Sequence, residues 1–225
     1  MMNVIAIDGP AASGKSSVAT AVANALKAIH INTGSMYRAI GWKTILSGID
    51  PEKDPVEFSR TLSSVRMRFV SRTAGDPELE VDGEFPGDKL RTEEASSAAA
   101  KVATIPAVRS RLVELQREMA GKDLLVMEGR DIGTVVFPDA KYKFFLTASP
   151  EERARRRLLQ DGFALTPELL RKTADSIAER DKIDSSRAVS PLKQSDDAVL
   201  VDSTGLTKEE TVDKILCLIR EKENA

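Results

Sequence analysis

The residues best suited to chemistry in this sequence form a glycine-rich segment near its start. Residues 9–16 read Gly-Pro-Ala-Ala-Ser-Gly-Lys-Ser and follow the apolar run Val4-Ile5-Ala6-Ile7. The two glycines allow the backbone to curve around an anion with its N–H groups pointing inward. In this spacing Lys15 reaches the β- and γ-phosphates of a nucleotide, and Ser16 offers a hydroxyl to Mg²⁺. The helix that follows adds the positive end of its dipole, so the segment predicts a nucleoside triphosphate site.

The composition limits which other kinds of site the chain can hold. It has 225 residues, enough for one α/β domain with insertions, and a net charge of -2, which gives no sign of a nucleic-acid partner. Cys217 is the only cysteine and His30 the only histidine, which excludes a disulfide and argues against a Ser–His triad or a histidine metal site. We expect Cys217 to lie in the core of the last helix and His30 to be a partly buried structural residue.

The location expected from the sequence is the cytoplasm. No apolar run approaches the length of a membrane span, which predicts no membrane partner. Residues 1–16 read as a strand and a phosphate-binding loop rather than as a signal peptide. We expect the protein to be a monomer.

The predicted elements alternate between strands and helices. Asn32 to Ser35 reads as a turn, and residues 72–78 carry turn chemistry in Gly75-Asp76-Pro77 between two short strands that suggest a small antiparallel insertion. Predicted strands are residues 3–8, 66–71, 79–82, 124–127, 142–148 and 198–201. Predicted helices are residues 14–28, 36–46, 58–65, 92–102, 106–120 and 207–222, with two more beginning near 150 and 166.

This alternation predicts an α/β fold in which a parallel sheet is flanked by crossover helices. Ligands of such sheets bind at the carboxyl ends of the strands. Lys15, the segment Glu128 to Asp131 and the arginines that follow Ala148 are all expected at that edge.

Arginines in predicted loops and helix starts suggest a second phosphate site. Transfer between two phosphorylated molecules needs cations that hold donor and acceptor against their mutual repulsion. A solvated surface charge is the alternative for any one arginine, and it is weakest for Arg38 and Arg130, which follow a glycine turn or a strand end. A switch GTPase needs an N-K-x-D guanine-binding element, which the sequence lacks. The arginines in question are Arg38, Arg91, Arg109, Arg130, Arg153, Arg155, Arg156, Arg157, Arg180 and Arg187.

Several motifs together resemble the bacterial cytidylate kinase family, and they extend over nearly the whole chain. The most particular is Gly-Arg-Asp-Ile-Gly-Thr-Val-Val-Phe-Pro-Asp-Ala at residues 129–140. The others are Ile7-Asp8-Gly9-Pro10, Ser13-Gly14-Lys15-Ser16, Thr33-Gly34-Ser35-Met36-Tyr37-Arg38, Glu179-Arg180-Asp181 and Arg187-Ala188-Val189-Ser190-Pro191-Leu192.

The resemblance implies a P-loop nucleoside-kinase fold that transfers the γ-phosphate of ATP to CMP or dCMP with Mg²⁺. It implies a single domain over residues 1–225, with a core at about 1–64, 104–150 and 188–225. The segment at about 65–103 would be the insertion that binds the nucleoside monophosphate, and about 151–187 would form a lid. The alternatives are a P-loop kinase for UMP or for another small molecule, or a nucleotide-dependent switch without enzymatic activity.

The resemblance also implies a role for individual residues. Arg38, Arg130 and Arg187 would hold the α-phosphate of the acceptor, Asp131 and Arg109 would contact the cytosine edge, and Arg180 and Asp184 the sugar. Thr33 would orient the phosphate-binding arginines. Lys15, Arg130, Asp131 and Arg187 are the predicted catalytic residues, and Ser16 and Glu128 the predicted Mg²⁺ residues. The predicted ATP contacts are Gly9, Pro10, Ala11, Ala12, Ser13, Gly14, Lys15, Ser16, Ser17, Arg156 and Arg157.

Two positions depart from the family pattern. Asn32 stands where the family usually has Asp, so a carboxylate that would pin an arginine is replaced by a neutral amide. Ala100 stands where the family tends to have a hydroxyl residue that touches the base, with Ser96 and Ser97 nearby. Cytosine selectivity would then depend more heavily on Asp131. For Glu128 the alternative to a metal role is a hydrogen bond to a neighbouring loop.

Overall fold

The computed structural model describes residues 3–70, 77–121 and 123–224. The chain divides into two compact units, one formed by Met1–His30 and Lys122–Ala225 and the other by Ile31–Gly121. Most of the predicted turn at 72–78 lies outside the described residues. None of the helices in the described part of the chain combines the length and apolar character that crossing a membrane requires.

The elements follow the alternation expected from the sequence, except that residues 29–32 form a strand that was not predicted. The strands in chain order are β1 (Val4–Asp8), β2 (Ile29–Asn32), β3 (Met67–Val70), β4 (Glu78–Val81), β5 (Leu125–Gly129), β6 (Tyr142–Thr147) and β7 (Val199–Asp202). The helices are α1 (Lys15–Leu26), α2 (Thr33–Lys43), α3 (Pro55–Ser64), α4 (Glu93–Val102), α5 (Pro106–Glu118), α6 (Pro150–Gln160), α7 (Pro167–Ser186) and α8 (Lys208–Asn224).

The main sheet has the order β2-β5-β1-β6-β7, and β1 pairs in parallel with both β5 and β6. Asp8, the last residue of β1, is opposite Gly129 of β5 and Phe145 of β6, so these strands end at one edge of the sheet. The predicted parallel sheet flanked by helices is confirmed. The predicted small antiparallel pair is also present, since β3 and β4 pair antiparallel.

An aliphatic core forms around the main sheet in the first unit. All five residues of β1 are buried, as expected for a central strand covered on both faces. Helix α8 contributes Val212, Ile215, Leu216 and Ile219, which recur at helical spacing. Cys217 lies on the opposite side of α8 and is exposed, so the prediction that it belongs to the core is wrong.

The second unit contains helices α2 to α5 and the β3–β4 hairpin, with its own apolar core. Helices α2 and α4 approach closely at Gly41, where an added Cβ would lie 2.8 Å from the Cβ of Ala98. The turn predicted at Asn32 to Ser35 is wrong, because Thr33 already begins α2. Asn32 is the N-cap, and its Oδ1 accepts a hydrogen bond from the Ser35 backbone N–H at 3.0 Å. Asparagine and aspartate cap helices about equally well, so the neutral amide suffices for this purpose.

Candidate active site

The loop between β1 and α1 has backbone geometry that demands glycine at both ends. Gly9 has φ +153°, and a Cβ there would lie 2.1 Å from the carbonyl oxygen of Leu146 in β6. Gly14 is left-handed with φ +89° and precedes the first residue of α1. Ala12 between them also has a positive φ of 56°. The sequence motif therefore corresponds to a sharply curved loop that ends at a helix N-terminus, which is the geometry of an anion site.

Lys15 is buried at the start of α1 with its ammonium group turned into this loop. Its Nζ donates to the carbonyl oxygen of Pro10 at 2.6 Å and to Oγ of Ser13 at 3.2 Å. Burial, followed by repulsion from the Arg130 guanidinium, lowers the pKa of Lys15 to about 7. A polyphosphate in the loop would favour the charged ammonium form and raise this pKa again.

One ion pair holds the first half of the loop from outside. The carboxylate of Asp181 on α7 pairs with Nη1 of Arg153 on α6, and both side chains are largely buried. The Ala11 backbone N–H donates to Asp181 at 2.9 Å, while Arg153 donates to the Ala11 carbonyl at 3.1 Å. Both polar backbone groups of one loop residue are therefore fixed by the same pair. The predictions assigned no role to Asp181.

Arg156 of α6 holds the second half of the loop. Its Nη1 donates to the Ser13 carbonyl at 3.1 Å and to Oγ of Ser203 at 3.0 Å, and its Nη2 donates to the Ser203 carbonyl at 2.8 Å. Its Nε pairs with Glu152 at 2.8 Å. Arg157 instead pairs with Asp161 at 2.7 Å and is about two-fifths exposed. Direct contact of Arg156 and Arg157 with ATP stays a prediction.

Asp184 joins two of the arginines predicted to bind the acceptor phosphate. Its Oδ2 accepts from Nε of Arg130 at 3.0 Å, and its Oδ1 lies 3.2 Å from Nη1 of Arg187. Arg187 also donates to the Ser190 carbonyl at 3.2 Å. One carboxylate on α7 thus orients two guanidinium groups that the sequence places 57 residues apart. A contact of Asp184 with the sugar stays a prediction.

Arg180 adds a further cation to this group. Burial lowers the pKa of Arg180, and the positive charges of Arg130 and Arg157 act in the same direction, while Asp184 and Asp181 oppose it. Lys15 and Arg130 also repel each other, as the lowered pKa of Lys15 records. Positive charges are therefore concentrated beside the loop, which is the electrostatic setting that phosphate groups require.

The predicted Mg²⁺ residues, Ser16 and Glu128, are brought together. The buried Glu128 carboxylate at the end of β5 accepts a hydrogen bond from Ser16 and lies 3.7 Å from Nε2 of His30. Burial opposes ionisation, but the contacts with His30 and Lys15 outweigh it, so the pKa of Glu128 is lowered. His30 is more fully buried than expected, and its Nδ1 lies 3.1 Å from Oγ1 of Thr20.

These two residues fit an ion that takes most of its ligands from water and phosphate. Mg²⁺ in nucleotide sites is bound by one or two protein oxygens together with substrate phosphates. The ionised Glu128 carboxylate in β5 and the Ser16 hydroxyl in the first turn of α1 supply two such oxygens. The described residues contain no group of three or more histidine, cysteine or acidic side chains arranged to hold a metal without a substrate.

Residues 130–136 continue from β5 into a π-helical turn that sequence patterns did not predict. The turn covers Ile132–Val136 and follows Arg130 and the buried Asp131. The carboxylate of Asp8 accepts hydrogen bonds from the backbone N–H groups of Ile132 and Gly133. No role was predicted for Asp8, although a carboxylate that ends a buried strand directly before the loop is an unusual feature of the sequence.

The second unit contains the remaining predicted acceptor residues, Thr33, Arg38 and Arg109. Thr33 is buried in the first turn of α2, and the Arg38 guanidinium lies over the same turn, since a Cβ on Gly34 would be 3.3 Å from its Nη1. Arg109 is buried, with its guanidinium carbon 5.4 Å from the centre of the Tyr37 ring.

Arg109 is also tied to the end of α4, where Ala100 lies. Its Nη1 is 3.4 Å from the carbonyl oxygen of Ala103, the residue after α4. Ala100 is half-buried. The substrate contacts of these residues stay predictions.

The fold and the loop define the class of protein. A parallel sheet with flanking helices and a Gly-x-x-x-x-Gly-Lys-Ser loop at the end of β1 is the arrangement of a P-loop kinase. A crystal structure of an uncharacterised protein from Eubacterium ventriosum has a similar fold, with a TM-score of 0.53 at 14% identity over 97% of this chain and 98% of that one.

The comparison with sequence families is more specific. The family model described as cytidylate kinase matches residues 5–221. The cytidylate kinase of Mycobacterium avium is 44% identical over 97% of this chain and 96% of its own length. Those of Pelotomaculum thermopropionicum and Geobacter sulfurreducens are 44% and 41% identical over at least 96% of this chain and at least 94% of their own lengths. The chain belongs to the cytidylate kinase family.

Proposed function

We propose that this protein transfers the γ-phosphate of ATP to CMP or dCMP and forms CDP or dCDP. The support is its membership of the cytidylate kinase family together with the charges beside the loop. The proposal rests mainly on one observation: the Asp184 carboxylate pairs with both Arg130 and Arg187 beside the phosphate-binding loop. Two oriented guanidinium groups beside the loop can hold a second phosphate group against the charge of the donor, which transfer between two phosphorylated molecules requires.

The donor is ATP, and the loop residues bind its phosphates. In this proposal the backbone N–H groups of the loop and the N-terminus of α1 cradle the anion, and Lys15 neutralises charge on the β- and γ-phosphates. Asp181 and Arg153 keep Ala11 in place, so the N–H groups need little reorganisation when the nucleotide binds.

The acceptor phosphate is held by the arginines. Arg130 and Arg187 would bind the α-phosphate, with Arg38 as the third arginine that the family resemblance implies. Phosphoryl transfer passes through a loose transition state that is stabilised mainly by positioned cations. No general base is needed, because the phosphate oxygen that attacks is already an anion near neutral pH.

We infer the base recognition from the chemistry of cytosine. Asp131 can accept a hydrogen bond from the exocyclic amine, and Arg109 can donate to the ring nitrogen and the carbonyl oxygen. Uracil has a carbonyl group where cytosine has this amine, so the Asp131 carboxylate would meet an acceptor and disfavour UMP.

When bound, Mg²⁺ would supply positive charge that offsets the negative charge developing during transfer. Ser16 and Glu128 are the residues we propose to hold it, directly or through water. We also propose that the segment at about 65–103 is an insertion that binds the acceptor, that about 151–187 forms a lid, and that the protein acts as a cytoplasmic monomer in pyrimidine nucleotide metabolism.

A substrate panel tests this proposal. ATP consumption is measured in a coupled assay with CMP, dCMP, UMP, AMP and shikimate as acceptors. We expect turnover with CMP or dCMP well above that with the other acceptors. Dominant turnover with UMP or shikimate would favour a different P-loop kinase, and tight ATP binding without any acceptor-dependent turnover would favour a switch protein.

A companion measurement uses Asp131→Ala. If Asp131 contacts the base, this variant loses preference for CMP over UMP while its affinity for ATP changes little. Equal loss of CMP and ATP affinity would contradict the base contact.

A further inference from the structure

Asp8 is a buried carboxylate with no role in the chemistry described above. It is the last residue of β1 and is 5% exposed. Its Oδ1 accepts from the Ile132 backbone N–H at 2.8 Å, and its Oδ2 accepts from that of Gly133 at 2.7 Å. These amides belong to the residues directly after Asp131, so both oxygens of Asp8 fix the backbone that carries the proposed base contact.

The turn that Asp8 holds needs an external acceptor. The first N–H groups of a helical turn have no partner within it, and the Asp131 side chain does not cap this one. Within the π-helical turn, the Val136 N–H donates a hydrogen bond to the Asp131 carbonyl at 3.1 Å, and the Phe137 N–H donates one to the Ile132 carbonyl at 2.7 Å. Such π-helical turns are uncommon and often occur at functional sites.

Lys143 of β6 supports the same turn through its side chain. A Cβ on Gly133 would lie 3.1 Å from Cδ of Lys143 and 3.4 Å from Oδ2 of Asp8, so both side chains pack closely against this glycine. The Lys143 ammonium donates to the Pro138 carbonyl and pairs with Asp197 at 2.7 Å. Two buried charged residues on the adjacent strands β1 and β6 therefore hold the turn and the residues that follow it.

Keeping a carboxylate at this position is costly for the fold. Burial raises the pKa of Asp8 to about 7, against the two backbone hydrogen bonds and the Lys15 charge, which lower it. An apolar side chain at this buried end of β1 would avoid this cost. The carboxylate instead fixes the backbone of residues 132 and 133 at the expense of stability.

We infer that Asp8 is a positioning residue for acceptor recognition: by fixing the amides of Ile132 and Gly133, it sets the direction of the Asp131 side chain toward the base. The inference rests on the proposed function, since it assigns Asp8 to the acceptor half of the same reaction. Asp8 also precedes Gly9, so one short stretch of β1 supports both the donor loop and the acceptor turn.

The test uses Asp8→Asn, which preserves shape but points an amide N–H₂ at one of the two backbone donors. The variant loses one charge-assisted hydrogen bond and places the amide N–H₂ against a backbone N–H. We expect this to weaken CMP binding by about tenfold or more. The preference for CMP over UMP falls with it, whereas the KM for ATP, which Asp8 affects only through the Lys15 charge, rises less than the KM for CMP. Val201→Ala is the matched control, because it opens the buried core of the same unit at β7 without touching the turn.

Amide hydrogen exchange gives a readout that needs no substrate. We expect faster exchange at Ile132 and Gly133 in Asp8→Asn and unchanged exchange at these amides in Val201→Ala. If the wild-type protein accepts CMP but Asp8→Asn affects ATP and CMP equally, the inference fails while the proposed function stands. If the wild type accepts no pyrimidine monophosphate, the proposed function fails whatever the exchange result.

A second variant keeps the inference testable if Asp8→Asn does not fold. Asp8→Ala removes both acceptor oxygens and, with them, the buried charge. The same selective loss for CMP is expected. Unchanged CMP-to-UMP preference and unchanged exchange at Ile132 and Gly133 in this variant would overturn the inference.

Discussion

Replacing Asp184 with asparagine should disable acceptor binding more than donor binding. The Asp184 carboxylate bonds Arg130 at 3.0 Å through Oδ2 and lies 3.2 Å from Arg187 through Oδ1. Asparagine keeps one acceptor oxygen but presents an amide N–H₂ to the other guanidinium group. The substitution therefore removes both ion pairs, keeps at most one hydrogen bond to a neutral oxygen and leaves two cations close together.

The size of the effect follows from burial. The side chains of Arg130, Asp184 and Arg187 are 23%, 12% and 7% exposed, so water screens the pairs only weakly. A hydrogen bond to a charged group contributes about 1.5–3 kcal/mol. At about 1.4 kcal/mol for each factor of ten, loss of one such bond lowers kcat/KM for CMP by about 10- to 100-fold.

The assay is acceptor-dependent ATP consumption, with the two substrates varied separately. Unfolding in urea reports the stability of each variant. Glu57→Gln is the control, because it breaks the exposed Glu57–Arg60 pair on α3 and should leave both measurements near wild type. The reasoning is refuted if Asp184→Asn keeps kcat/KM for CMP within about threefold of wild type, or if the KM for ATP rises as much as that for CMP.

Three further predictions follow from single residues. Because the pKa of Lys15 is lowered to about 7, its side chain is largely a neutral amine above that pH and must take up a proton when ATP binds. ATP affinity should therefore fall by up to about tenfold per pH unit above 7. Binding titrations from pH 6 to 9 check this, and Lys15→Arg, which stays charged, should show no such slope. Gly9→Ala places a Cβ 2.1 Å from the Leu146 carbonyl and should cost about 3 kcal/mol in urea unfolding, whereas Gly121→Ala enters open space and should be neutral. Ala100→Ser should raise the CMP-to-UMP ratio of kcat/KM a few-fold, by about 1 kcal/mol, if position 100 faces the base; an unchanged ratio would exclude that contact.

The sequence predicted the elements whose residues are locally distinctive. Apolar runs marked β1, β5, β6 and β7, although β7 is largely exposed, and the glycine spacing marked the loop before α1. Each of these signals lies within a few neighbouring residues. The start of α2 was missed because residues 32–35, Asn-Thr-Gly-Ser, have turn composition; Asn32 instead caps a helix that begins at Thr33.

Other features depend on contacts between distant parts of the chain and leave no local pattern. Asp184 meets Arg130 across 54 residues, and Asp8 meets Ile132 across 124. Such pairs become visible only when the sheet brings strand ends together. Cys217 shows the opposite error: an apolar stretch suggested burial, but its helical position is opposite the buried face formed by Ile215, Leu216 and Ile219.

The proposed reaction moves a phosphoryl group from ATP to cytidine monophosphate. Incubation with CMP and ATP labelled in its γ-phosphate tests this directly, with the products separated by chromatography. We expect the label to appear in CDP, and to do so only when CMP is present. Release of the label as inorganic phosphate, or its retention in ATP while CMP stays unchanged, would contradict the claim.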